Sequence, residues 1–160
     1  MVHGKKLVTF LLAVTAGVLV LAGCSGGDEP QNTPSAQEIA TRIINTCSFD
    51  EMIKIEDSVL YNQYTELDEG MLEDAAVYTS TLVLADEVCV LRLKNKGDVD
   101  AVLAAIDTRL SDLTDKFTGY REEEMPKITN ALIETRGNYI LMTTTPDGEK
   151  ALQEFTSMLG

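Results

Sequence analysis

The sequence ALIETRGNYILMTTT at residues 131–145 contains two runs of β-branched and large apolar residues separated by Gly137-Asn138. Glycine and asparagine both tolerate positive φ values, and a two-residue loop of this kind joins antiparallel strands in a tight hairpin. We therefore predict strands at 131–136 and 139–145 that pair antiparallel.

A second pair of strands is predicted upstream, at 75–81 and 87–94. Residues 75–81 are rich in Val, Tyr and Thr, and residues 87–94, EVCVLRLK, alternate between two sets of side chains. One set ends in Arg92 and Lys94, so we expect that face to meet water and Cys89 to point into the core.

Helical patterns precede, separate and follow these strand pairs. Ser35 and Glu38 form a capping box ahead of an apolar stripe on the first helix. Asp98 starts the longest helix, predicted at 99–117, and Gly119 ends it. A last helix occupies the C-terminal residues. We predict an α+β fold with an antiparallel sheet of about four strands, helices on one face, and the order α-β-β-α-β-β-α.

The N-terminus carries the features of an export signal. Residues 1–23 contain a basic start, an apolar stretch and small residues before a cleavage point, as in a secretory signal peptide. Leu21-Ala22-Gly23-Cys24 resembles the lipobox of bacterial lipoproteins. That resemblance implies cleavage between Gly23 and Cys24 and attachment of a lipid to the Cys24 sulfur. The alternative is an uncleaved transmembrane anchor, which would also hold the domain outside the membrane.

The remaining chain divides into a linker and a domain. Residues 24–34 are the lipidated cysteine and a flexible linker, and residues 35–160 are predicted to form a single α+β domain. Removing the signal takes away Lys5 and Lys6 but no acid, which leaves 11 basic against 26 acidic residues and a net charge of −15. Such a surface repels phosphate backbones, so we predict no nucleic-acid partner.

Three segments resemble a known family: AQEIATRIINTCSFDEMIKI at 36–55, DEVCVLRLKNKGDVDAV at 86–102 and NALIETRGNYILMTTTPDGEKA at 130–151. Together with the lipobox and linker they resemble the DUF4358 family of lipoproteins. The resemblance implies an extracytoplasmic α+β domain without an assigned activity. It also implies an accessory role beside membrane-bound acyltransferases that modify envelope polymers.

Two cysteines remain once Cys24 is lipidated, and they allow two interpretations. Cys47 and Cys89 are both predicted to face the core, where they would act as small buried hydrophobic residues. The alternative is a disulfide between them, which export makes chemically feasible. A catalytic thiol is not expected, because the only histidine, His3, leaves with the signal.

Acidic residues cluster at three places, and export makes calcium binding one interpretation of them. The clusters lack the spacing of a calcium-binding loop, so we expect a solvated acidic surface and no metal or cofactor. They are Glu66-Asp68-Glu69, Glu73-Asp74 and Glu122-Glu123-Glu124.

Hydroxyl side chains collect on neighbouring strands. If helices cover one face of the sheet, the other face is either an ordinary wet β surface or a binding surface for a protein or glycan. The side chains concerned are Thr79, Ser80, Thr81, Thr143, Thr144 and Thr145, with Tyr78 and Tyr139 nearby.

These observations predict a lipoprotein on the extracytoplasmic face of the cell membrane. With no histidine in the mature chain, no catalytic set is assigned, and we expect a binding or accessory module rather than an enzyme. Its partners would be the membrane, through the Cys24 lipid, and an envelope protein or glycan. The alternative is an envelope enzyme that uses carboxylates, such as a glycan hydrolase or an esterase accessory.

Overall fold

The computed structural model describes residues 33–81 and 83–160, and the α+β class is confirmed. The five strands are β1 (Ile53–Lys54), β2 (Leu72–Thr79), β3 (Glu87–Leu93), β4 (Leu132–Arg136) and β5 (Tyr139–Thr143). The helices are α1 (Ala36–Thr46), α2 (Asp57–Gln63), α3 (Val99–Phe117), α4 (Met125–Thr129) and α5 (Gly148–Leu159). The predicted order is present, with β1, α2 and α4 added to it.

All strand pairings are antiparallel, in the spatial order β1-β2-β3-β5-β4. The predicted hairpin is confirmed: Arg136 pairs with Tyr139, and Gly137 between them has a φ of +62°. The fifth strand, β1, is the difference from the prediction. It contains only two residues, which is too short to produce an alternating pattern in the sequence.

Local signals set the ends of the helices as predicted. The Ser35 hydroxyl accepts a hydrogen bond from the Glu38 amide at 3.2 Å, and the Glu38 carboxylate accepts one from the Ser35 amide at 2.8 Å. This reciprocal pair satisfies two amides that a helix start leaves free. Gly119, directly after the last turn of α3, has a φ of +73°, which glycine adopts without strain.

Helices cover both faces of the sheet, which corrects the prediction that they lie on one face. On the first face, here the α3 face, Leu91 packs in one cluster with Ile106 of α3 and with residues of α2. On the opposite α1 face, Val90 packs with Ile43 of α1 and Phe155 of α5. Apolar residues at both alternating positions of a strand require cover on both faces.

Helices α1 and α5 lie side by side on the α1 face. The Arg42 guanidinium of α1 is 2.7 Å from the Glu154 carboxylate of α5, and Ile39 and Ala151 are buried in the same cluster. The first and last helices of the domain therefore form one layer.

The strands run between two ends of the sheet, which differ in chemistry. The Pro34 end comprises residues 92–98, residues 136–139 and Pro34, whose carbonyl accepts a hydrogen bond from the Tyr139 hydroxyl at 2.6 Å. The polar end comprises residues 80–87, 124–131 and 143–149. Within the described residues, no helix is both long and apolar enough to cross a membrane.

Candidate functional site

The polar end contains a buried carboxylate with two partners. Glu87, the first residue of β3, is 1% exposed. It accepts a hydrogen bond from the Tyr64 hydroxyl at 2.6 Å and two from the Arg109 guanidinium, at 2.6 and 3.2 Å. Because both carboxylate oxygens are bonded, the buried charge is tolerated, and it joins β3 to α3 and to the end of α2.

Burial and charge fix the protonation of both donors to Glu87. Burial raises the pKa of Tyr64 well above its usual 10.0, and the neighbouring Cys89 and Glu87 raise it further. Burial alone would lower the pKa of Arg109, but the Glu87 carboxylate outweighs that effect and the pKa is raised. Both groups therefore keep their protons at neutral pH and remain hydrogen-bond donors.

A second ion-pair cluster ties α4 to the loop between β2 and β3. The Lys127 ammonium lies 2.8 Å from the Asp86 carboxylate and 2.9 Å from the Glu124 carboxylate. Glu124 also accepts a hydrogen bond from the Ala85 amide at 2.8 Å. Lys127 thus pairs with two buried acids, Asp86 in the β2–β3 loop and Glu124 directly before α4.

The pKa values in this cluster follow from the balance of burial and pairing. Burial raises the pKa of Asp86, because the Lys127 contact offsets it only in part. Burial would also raise the pKa of Glu124, but the Ala85 amide and Lys127 outweigh it and the pKa is lowered. Burial opposes the charge of Lys127, yet its two carboxylate partners raise its pKa.

A cavity of about 520 Å³ opens next to this cluster, between α4, the start of β4 and the first turn of α5. Its volume is within the range of ligand-binding clefts. Apolar and polar groups both contribute to its wall, which suits an amphipathic partner. The lining residues are Pro126, Lys127, Asn130, Ala131, Leu132, Thr145, Pro146, Gly148 and Glu149.

The predicted hydroxyl-rich surface is wrong, because its central side chains are buried. Thr143, Thr144 and Thr145 are at most 4% exposed. The Thr143 hydroxyl donates to the Glu87 carbonyl at 2.8 Å, and the Thr144 hydroxyl donates to the Ala85 carbonyl. These hydroxyls close the polar end by satisfying carbonyl groups of the neighbouring strand, and do not form a wet face.

The acidic clusters agree with a solvated surface except at Glu124, which is buried, and at Asp74, which is half-buried and accepts a hydrogen bond from the Ala36 amide. Glu122 and Glu123 are exposed and bond locally, to the Gly119 amide and to Arg121. Among the residues that the structure describes, no three His, Cys, Asp or Glu side chains lie close enough together to hold a metal ion.

Cys47 and Cys89 are both buried, and the structure leaves both as free thiols. Cys89 is in the cluster on the α3 face, whereas Cys47 is in the cluster on the α1 face. The sheet lies between them, so the disulfide alternative has no support in this arrangement. Burial raises the pKa of both thiols, which makes them weak nucleophiles at neutral pH.

The export predictions fall outside the part of the chain that the structure describes. The signal peptide at 1–23, the cleavage between Gly23 and Cys24 and the lipidation of Cys24 remain predictions from sequence. The described part of the linker is Thr33 and Pro34, and the Pro34 carbonyl is bonded to Tyr139.

The two buried ion-pair clusters were not predicted from the sequence. Glu87 was assigned to a strand but given no role, and its partner Arg109 lies 22 residues further along the chain. A signal was present in Asp86-Glu87, two acids placed directly before an apolar strand. Charged residues in such a position are rarely buried unless they are paired.

Comparison with known proteins gives one match. A family model described as "Domain of unknown function (DUF4358)" matches residues 45–145. This range contains the sheet, α2, α3, α4, Glu87 with both its partners, and the Lys127 cluster. Neither the curated proteins nor the solved structures contain a significant match.

Proposed function

This chain belongs to the DUF4358 family, whose description assigns no activity, and from its own residues we propose that it is a lipid-anchored protein of the cell envelope. Its folded domain would lie on the extracytoplasmic face of the membrane. The observation that carries the proposal is the lipobox Leu21-Ala22-Gly23-Cys24 behind a basic start and an apolar stretch.

The start of the folded domain supports this arrangement. The capping box at Ser35 begins α1 eleven residues after Cys24, and the intervening segment is rich in Gly, Pro and polar residues. Such a segment suits a tether between a lipid and a folded domain. A diacylated cysteine supplies two hydrocarbon chains, which is enough for stable anchoring.

We propose further that the domain is a binding or accessory module, with the 520 Å³ cavity at the polar end as its binding site. Ion pairs hold the cavity wall in place, because Lys127 connects α4 to Asp86. A preformed wall lowers the ordering cost of binding. The partner we propose is an envelope protein segment or glycan that offers both apolar and polar groups.

The second candidate is an envelope enzyme that uses carboxylates. One observation favours it: Asp86 is buried next to the cavity wall and has a raised pKa, as general acids often have. Against it, Asp86, Glu87 and Glu124 each bond to a cation. An enzyme of this kind should hydrolyse envelope glycans as the wild-type protein and lose that activity in Asp86→Asn. Absence of hydrolysis by the wild-type protein would contradict this candidate.

The anchor is tested with Cys24→Ser. Cells grown with labelled palmitate should label the wild-type chain and retain it in the membrane fraction, and the variant should lose both properties. Cys47→Ser is the matched control, since that thiol is buried in the folded domain, 23 residues after Cys24 in the sequence, and should not affect labelling. Equal labelling of wild type and Cys24→Ser would overturn the proposal.

The binding site is tested by photo-crosslinking in intact cells. A crosslinking residue at Asn130, on the cavity wall, should capture a neighbour that the same residue at Asn62, exposed on α2, does not capture. Recovery of a membrane acyltransferase at Asn130 alone would support the accessory role. Identical products from both positions would contradict the assignment of the cavity.

A further inference from the structure

The chain joins the folded domain at the Pro34 end. The Pro34 carbonyl accepts a hydrogen bond from the hydroxyl of Tyr139, the residue that follows the β4–β5 turn. Two residues later, the Ala36 amide donates to the Asp74 carboxylate at 2.7 Å. These contacts fix the point from which any N-terminal tether leaves the domain.

Two turns at this end present cations to solvent. Lys94 and Lys96 are exposed in the turn after β3, and Arg136 is exposed at the end of β4. The turns are tied together, because the Leu93 amide donates to the Asn138 carbonyl at 2.7 Å. Three exposed cations therefore lie around one point of a mature chain whose net charge is −15.

Acids also lie near this end, and two of them are paired with arginines. Glu73 lies 3.6 Å from Arg92 and Glu134 lies 3.8 Å from Arg136, while Asp98 and Asp100 follow at the start of α3. In the described part of the chain, no carboxylate lies within 4.0 Å of the ammonium group of Lys94 or Lys96. These two lysines are therefore available to an external anion.

The length of the tether decides which end faces a membrane. The segment from Cys24 to Pro34 spans ten residues, and a flexible chain of that length has a mean extension of about 17 Å. The eight residues of β2 extend over about 26 Å. A lipid at Cys24 would thus hold the Pro34 end closer to the bilayer than the polar end.

We propose that the Pro34 end is a membrane-facing surface on which Lys94 and Lys96 bind the phosphate groups of anionic lipids. This inference rests on the lipid anchor proposed above. Anionic lipids also repel the acidic residues on the rest of the domain. Within a Debye length of about 8 Å, this repulsion favours the same orientation. The 520 Å³ cavity at the polar end then points away from the bilayer, toward the rest of the envelope.

The orientation is tested with two exposed cysteine probes in the full lipidated chain, in which the native thiols of Cys47 and Cys89 are buried. Asn95→Cys lies between the two lysines, Asn130→Cys lies at the polar end, and both positions are exposed. The protein is placed on vesicles of phosphatidylcholine with and without phosphatidylglycerol and treated with a membrane-impermeant maleimide. We expect labelling of Asn95→Cys to slow several-fold on the anionic vesicles relative to detergent, and labelling of Asn130→Cys to stay unchanged.

The lysines are tested against a charge-matched control. Adding Lys94→Gln and Lys96→Gln to the Asn95→Cys protein should remove the protection, since each lysine near an anionic surface contributes about fivefold to partitioning. Lys54→Gln with Lys150→Gln changes the net charge equally, at exposed positions away from these turns, and should keep it.

Palmitate incorporation in the same preparations separates the two proposals. A palmitate-labelled protein in which Asn95→Cys reacts on anionic vesicles as fast as in detergent overturns the membrane-facing surface and leaves the anchor standing. Equal protection on vesicles without phosphatidylglycerol overturns the role of the two lysines. A chain without palmitate overturns both the anchor and the surface.

Discussion

Glu87 occupies a position where an unpaired carboxylate would be costly, at the start of a strand buried on both faces. Its bonds to Tyr64 and Arg109 connect helices that lie 22 or more residues away in the chain. Replacing a buried ion pair with apolar residues is often neutral, whereas removing one partner leaves the other charge unpaired. The stability of the polar end is therefore sensitive to changes at a single residue of this pair.

We predict that Glu87→Gln lowers the free energy of unfolding by about 3 kcal/mol, because it leaves Arg109 buried without a counter-charge. Urea denaturation followed by circular dichroism measures this. The control is Glu123→Gln, which breaks the exposed pair with Arg121 and should cost less than about 1 kcal/mol. Equal losses in the two variants would show that the buried pair contributes no more than a surface one.

The thiols provide a second prediction at the residue scale. In the Cys24→Ser protein, iodoacetamide should modify Cys47 and Cys89 only after unfolding in urea, and without any reductant, because both are buried and unbonded. Mass spectrometry would then show two additions. If iodoacetamide modified the two cysteines of envelope-derived protein only after treatment with a reductant, Cys47 and Cys89 would form a disulfide and this prediction would be wrong.

At the scale of elements, both faces of the sheet are covered, so adjacent residues of β5 should contribute about equally to the stability of the fold. Ile140 is buried on the α3 face and Leu141 on the α1 face. We predict that Ile140→Ala and Leu141→Ala each cost about 2–5 kcal/mol. In a sheet with one wet face, only one of the two would be costly. Thr135→Ala, at an exposed position of β4, is the control and should change stability by about 0.5 kcal/mol or less.

The contact between α4 and the β2–β3 loop should depend on pH. The folded-state pKa of Glu124 is below its usual 4.5, so its ionised form stabilises the fold fully above that pH. This contribution is lost as the pH falls through the lowered pKa. We predict that Glu124→Gln is less stable than wild type at pH 7 and that the difference shrinks below about pH 4.5.

Unfolding curves at several pH values measure this difference. Glu122→Gln is the matched control, because Glu122 is exposed in the same acidic run. The pKa of Asp86 shifts in the opposite direction: burial raises it, and the Glu124 charge adds to the increase. A difference between wild type and Glu124→Gln that stays constant down to pH 3 would contradict the assigned role of Glu124.

Much of the secondary structure was predictable because its signals are local. The capping box at Ser35, the glycine after α3 and the Gly137-Asn138 turn each act within a few residues. The helices on the second face were not predicted because Arg92 and Lys94 suggested a wet face. Arg92 lies near the end of β3 and Lys94 directly after it, whereas Val88 and Val90 on the same face are buried. The pairing of Glu87 with Arg109 and the burial of Glu124 depend on tertiary contacts that no short pattern reports.

At the scale of the whole molecule, the dominant property is an excess of acidic residues. Self-repulsion at the net charge of −13 of the full sequence opposes the compact state, and salt screens it. We predict that the melting temperature rises with added sodium chloride. The variant Glu66→Gln with Glu69→Gln, at exposed positions, should respond less. A melting temperature that falls with salt would mean that attractive surface pairs outweigh the repulsion.

The neighbouring positions of α1 and α5 have a consequence for the timing of folding. More than 100 residues separate Ile43 from Phe155, which packs in the same cluster, and a ribosome needs roughly 5–20 seconds to add them. During that interval the apolar stripe of α1 lacks its partner helix. If the chain is exported as proposed, this interval allows it to thread through a translocation channel before its last helix is made and its fold can close.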